Sequence, residues 1–131
     1  MSHHRSAVTA PEAPKPAGPY SHAVQSGGLL FCSGQVPIDP ATGSLAEGPI
    51  GDQARRCLEN LKTVCAAAGA DLSDAVRMSI YVTDISTFAQ VNQAYGAYFG
   101  GGDPPARTTI GVAALPGGAQ IEMDAIVALP A

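Results

Sequence analysis

The chain has 131 residues, of which 46% are hydrophobic and only 14% charged, with a formal net charge of −4. That length fits one domain with a real core, limited to a single helix layer on a single sheet. The negative charge is spread and no basic block occurs, which argues against strong electrostatic binding to nucleic acid, and no apolar run suits a membrane span or a signal-peptide core.

Residues 1–16 are rich in Ala, Pro, Ser and Thr and lack periodicity, so they read as a flexible N-terminal tail whose last few residues settle on a domain spanning residues 17–131. His3 and His4 fall in that tail and are not read as a metal site. Gly18-Pro19-Tyr20-Ser21 marks the entry to the fold. Two short runs, Ala23 to Ser26 and Leu29 to Gln35, flank Gly27-Gly28 and predict a β-hairpin. The second run is almost continuously apolar, so both of its faces need cover. Helices supply one cover, and a second subunit is the expected source of the other.

Pro37 to Gly43 is a turn cluster. From Asp52 the period becomes helical, with Ala54, Cys57, Leu58, Leu61, Cys65 and Ala68 on one face and Arg55, Arg56, Glu59 and Lys62 on the other; Gly69 ends the helix. Cys32, Cys57 and Cys65 have neither CxxC spacing nor a histidine cluster beside them, which excludes the common zinc patterns. Cys57 and Cys65 lie about 12 Å apart along one helix, too far for a disulfide. All three read as small core residues of a cytoplasmic protein in a reducing compartment.

Val76 to Thr83 alternates as a strand, with Val76, Met78, Ile80 and Val82 on its apolar face. Asp84 or Ser86 caps a helix whose stripe is Phe88, Val91, Asn92, Tyr95 and Phe99. Asn92 is an amide inside that stripe: it either ties a sheet edge or loop carbonyl or holds an active-site loop. After Gly100 to Pro105 come two more strands, the first alternating through Arg107, Thr109 and Gly111 and the second presenting Ile121, Met123, Ala125 and Val127 on one face. An antiparallel pairing of the two about Pro116-Gly117 would set Glu122 opposite about Gly111. A two-residue slip would bring it nearer Arg107, so a direct pair stays open but is not favoured. The element order β-β-α-β-α-β-β is an α+β pattern with two helices on one face of a mixed sheet. The other face, carrying Ser79, Tyr81, Thr109 and Glu122 among apolar residues, suits an oligomer contact.

Arg107 and Glu122 stand out because each puts a charge into a strand of apolar and small residues. A buried charge costs several kcal/mol unless it is paired or used. One reading is an internal salt bridge or exposed strand faces. The other is a small-molecule site, with the arginine gripping an anion and the glutamate working on water or a proton.

Gly18-Pro19-Tyr20-Ser21, Ser33-Gly34-Gln35, Gln53-Ala54, Val91-Asn92-Gln93-Ala94-Tyr95, Pro105-Ala106-Arg107 and Ile121-Glu122-Met123 together resemble the RidA (YjgF/YER057c/UK114) family over nearly the whole chain from about Ala17. The resemblance implies a chorismate-mutase-like fold and a homotrimer packed as a central barrel, with clefts between subunits. It implies an enamine/imine deaminase that hydrolyses reactive 2-imino acids to 2-keto acids and ammonia, without metal or organic cofactor, in metabolite damage control. It places the substrate carboxylate on Arg107, the attacking water on Glu122, Tyr20, Ser33 and Gly34 along the cleft, and Asn92 behind it. The family's deaminase type often has a cysteine two residues after the arginine; Thr109 stands there instead, so a thiol has no part in this chain's chemistry. Alternatives from other classes are a non-catalytic trimer that binds small carboxylates or acts as a chaperone, and, less favoured on charge, an endoribonuclease.

Overall fold

The computed structural model describes residues 4–131, so His3 lies outside the described residues. Its regular elements are strands β1 (Ser6–Val8), β2 (Ala23–Ser26) and β3 (Leu29–Gln35), helix α1 (Ile50–Ala67), strand β4 (Ala75–Val82), helix α2 (Phe88–Phe99), and strands β5 (Ala106–Gly111) and β6 (Ile121–Ala128). They form one six-stranded mixed sheet in the order β1-β2-β3-β6-β4-β5. No helix among the described residues is long and apolar enough to cross a membrane.

The α1 periodicity translates directly into packing. Ala54, Cys57, Leu58, Leu61, Val64 and Cys65 are fully buried against the sheet. Gly69, at φ +71°, ends the helix, with its N–H on Ala66 O and that of Ala70 on Cys65 O, the paired bonds of a Schellman motif. The expected stripe omitted two buried amides on the same face. Asn60 donates to Val36 O and Ile38 O, and Gln53 donates to Gly48 O and to Gln120 Oε1. These bonds fasten the loop that joins β3 to α1.

The expected antiparallel pairing of the last two strands does not occur. β5 pairs with β4 in parallel, Met78 beside Arg107 and Ile80 beside Thr109, with α2 as the crossover. β6 instead lies between β3 and β4, antiparallel to both. Burial explains the choice. Ile121, Met123, Ala125 and Val127 are each at most 2% exposed, which requires the covered centre of a sheet, whereas β5 alternates between partly buried and exposed residues as an edge does.

Three smaller expectations also change. Val76 is exposed, because the β4–β6 register shifts between Ala75 and Arg77. Thr109 is not on the face away from the helices: its neighbour Ile80 is buried under them, so Thr109 shares the helix face with Arg107. The N-terminal stretch is tied down well before residue 17. Ser6–Val8 add a strand to the edge of β2, and Ala10 and Ala13 join the core.

Candidate functional site

Two groups of polar residues flank the central strands. The first is built on β5 and α2. Arg107 leaves the sheet on the helix face and lies against α2, where its Nη2 donates to Asn92 Oδ1 at 2.6 Å. The guanidinium carbon sits 4.8 Å from the centre of the Tyr95 ring and 5.4 Å from that of Phe88. Spacing creates this cradle, because positions 88, 92 and 95 follow the i, i+4, i+7 line of one helix face. Asn92 therefore holds the arginine itself rather than a loop carbonyl.

Among the described residues the one ion pair within 4.0 Å joins Arg55 to Asp52, so Arg107 has no carboxylate partner. Two hydroxyl groups nearby are also unsatisfied: Thr109 Oγ1 and Tyr95 Oη are buried without a hydrogen bond. Burial pushes the Tyr95 hydroxyl's pKa up, against the lowering effect of the Arg107 charge.

The second group surrounds Glu122 on β6. Tyr20, Gly34 and Glu122 line a cavity of about 80 Å³ together with residues 14–17 of the N-terminal segment. The β3–β6 register shifts between Cys32 and Gln35, so the Ser33-Gly34 step forms a bulge opposite β6. At that bulge the backbone passes so close to the glutamate that a Cβ on Gly34 would lie 2.7 Å from Glu122 Oε2. Ser33 does not face this cavity; its hydroxyl donates to Ser21 O at 2.6 Å and braces the turn that carries Tyr20. The Glu122 carboxyl is held above the usual 4.5, first by burial and then by the neighbouring charge of Asp124. Asp124 in turn accepts a hydrogen bond from Tyr81 Oη at 3.1 Å.

The two groups do not meet within one chain. Arg107 sits beside Met78 and Glu122 beside Tyr81, three positions apart on β4. Paired neighbours share a face and successive residues alternate, so the two charged side chains leave opposite faces of the sheet. They are also two strand spacings apart, about 10 Å. Thus Arg107, Asn92 and Thr109 come together, as do Tyr20, Gly34 and Glu122, while Ser33 supports the second group from behind. Phe88 and Tyr95 are absent from the candidate list read from sequence. Their signal was present, since they occupy the same helical stripe as Asn92, but an aromatic stripe reads as core unless its cation is known. Among the described residues no group of three or more His, Cys, Asp or Glu side chains is placed to hold a metal ion.

The family model described as endoribonuclease L-PSP matches residues 10–129. The chain is 52% identical to the protein DfrA of Myxococcus xanthus over 124 residues, covering 93% of this chain and 94% of that one. It is 39% identical to a 2-iminobutanoate/2-iminopropanoate deaminase of Dermatophagoides farinae over 123 residues, covering 93% and 94%. The crystal structure of RidA from the Antarctic bacterium Psychrobacter sp. superposes with a TM-score of 0.87 at 38% identity, covering 95% of this chain and 99% of that one.

Proposed function

The chain belongs to the endoribonuclease L-PSP (RidA/YjgF) family, and from that membership and the site geometry we propose that it is an enamine/imine deaminase. Its substrates on this reading are short 2-imino acids of the 2-iminopropanoate and 2-iminobutanoate type. The observation that carries the reading is Arg107: a partly buried guanidinium, fixed on one side by Asn92 and two aromatic rings, with no carboxylate of the described residues to neutralise it. Such a cation is a receptor for an anion, and the planar fork of arginine suits a carboxylate.

The chemistry then needs little more. Arg107 takes the substrate carboxylate. The unpartnered Thr109 hydroxyl offers one further hydrogen bond beside it. Glu122 orients a water and accepts its proton as the oxygen attacks C2 of the imine. That proton passes to nitrogen to complete the carbinolamine; transfer of its hydroxyl proton to the amine, again by way of Glu122, then lets the C–N bond break as the C=O bond forms, releasing ammonia and the 2-keto acid. A carboxyl whose pKa is raised by burial is a stronger base than an exposed one, which suits it to taking a proton from water and returning it. No thiol takes part, since the position two after Arg107 is Thr109.

The reading includes a homotrimer whose clefts join the Arg107 group of one subunit to the Glu122 group of the next. Two features support it: the groups lie on opposite faces of one chain's sheet, and the face away from the helices leaves Phe31 and Ile110 more than 40% exposed. The three free, buried cysteines are consistent with a reducing, cytoplasmic setting.

A coupled assay tests the function. An amino-acid oxidase generates 2-iminopropanoate from alanine, and the purified protein is expected to accelerate ammonia release. Ligand binding without acceleration would establish a carboxylate-binding trimer instead.

Gly34 provides a test of the Glu122 geometry. In Gly34→Ala the new methyl collides with the carboxylate, a flexible side-chain end that moves aside at small cost. Activity is expected to fall about 10²-fold, the effect of a misplacement near 1 Å. The melting temperature should stay within about 2 °C of wild type. An active Gly34→Ala variant would show that the reaction does not depend on this placement of the Glu122 carboxylate.

A further inference from the structure

Residues 10–17 form a strap fastened at both ends. At one end stands His22, only 6% exposed. The Ala10 N–H donates to its Nδ1 at 3.1 Å, so that nitrogen bears the lone pair and the ring proton belongs on Nε2. Nε2 lies 2.9 Å from Pro14 O and donates to it. One neutral imidazole thereby grips the strap at two points. At the other end the Ala17 N–H donates to Tyr20 Oη at 3.0 Å, which ties the strap to a wall residue of the Glu122 cavity. Pro14 and Pro16 restrict the backbone of the strap, and the packed Ala10 and Ala13 leave it little room to shift.

Residues 14–17 wall the same cavity as Glu122. From this arrangement we infer that the strap, held by His22, sets the size limit for the substrate side chain. The inference rests on the imino-acid reading of the site. The cavity of about 80 Å³ has room for about three water-sized groups. A methyl or ethyl side chain and the attacking water fill it. A branched or aromatic side chain enters only if the strap yields. His22 itself also borders the cavity, so amide exchange in the strap, and not the substrate ratio alone, reports its role as the pin.

The experiment compares kcat/KM for the imines of alanine and phenylalanine, each made by an amino-acid oxidase, in wild type, His22→Leu and His22→Gln. Leucine fills the space but can make neither bond, whereas the glutamine amide can both accept and donate. The ratio of large to small substrate is expected to rise about tenfold in His22→Leu, the scale on which a pocket discriminates by a methylene or more. His22→Gln should fall back towards wild type. Hydrogen exchange read at the Ala10 and Ala17 amides should quicken in His22→Leu. Unchanged exchange would overturn the pin, and faster exchange with an unchanged substrate ratio would overturn the size limit. If wild type turns over neither imine, the deaminase reading fails. The strap is then judged by the relative affinities for pyruvate and phenylpyruvate, which His22→Leu must shift towards phenylpyruvate. Should the His22 variants not fold, Pro16→Gly loosens the same strap without touching its pins and must shift the ratio in the same direction.

Discussion

Replacing Arg107 by alanine is expected to lower kcat/KM for 2-iminopropanoate by about 10³-fold, mostly through a higher KM. The fork supplies two charge-assisted hydrogen bonds to a carboxylate, together worth about 4 kcal/mol. Arg107→Lys keeps the charge but loses the planar fork, the bond to Asn92 and the stacking on Tyr95 and Phe88, so about 10²-fold of that loss should remain. Steady-state kinetics in the coupled assay measure both. Wild-type kinetics in Arg107→Ala would show that the carboxylate is bound elsewhere.

Glu122→Gln is expected to separate activity from stability. The amide keeps shape and hydrogen bonding but cannot accept a proton, so kcat should fall by about 10²–10⁴-fold, the usual contribution of a general acid–base group. The melting temperature at pH 8 should rise by about 2 °C, a modest figure because water still screens this carboxyl. The sign follows from the raised pKa. A carboxyl whose folded-state pKa exceeds its unfolded value favours the native state while protonated, and that contribution is lost as the pH climbs through the folded pKa. Glutamine resembles the protonated form at every pH. The two proteins should therefore melt alike below the usual 4.5 and diverge above it, with the variant the more stable. Melts at pH 4 and pH 8 check this. A variant less stable at pH 8 would mean that Glu122 gains more from its surroundings than burial and Asp124 cost it.

These variants probe opposite halves of the site, and their contrast bears on assembly. If both abolish turnover singly, mixing the two inactive proteins under conditions that exchange subunits should restore part of the activity, since a cleft formed between one subunit's intact Arg107 and a neighbour's intact Glu122 is complete.

Much of the fold was legible because the local signals agree with the burial they end up serving. The α1 stripe, the Gly69 stop, the Gly27-Gly28 hairpin and the alternation of β6, and of β4 from Met78 onward, stand as the residue pattern indicates. Arg107 and Glu122 were legible for a simpler reason: a charge in an apolar strand is rare enough to need a use. The N-terminal strand and strap were not legible. Ser6–Val8 is too short for a periodic signal, and its pairing partner is a strand that begins at Ala23. His22 likewise reads as an ordinary strand-edge residue until Ala10 and Pro14 are placed on its two nitrogens.

The sequence by itself determined the helices, the alternation within most strands, the two charges and the family to which their motifs point. Only the tertiary structure decided which strands are neighbours and on which side each charge emerges. The physical reason is the period of two. It specifies which side chains within a strand share a face but says nothing about the strand lying alongside or its direction. Here β6 takes the centre because four of its side chains need full burial, and β5 is left at the edge, parallel to β4 across α2. That exchange puts Arg107 under the helix and Glu122 on the opposite face, so within one chain the sheet itself keeps the two charges apart.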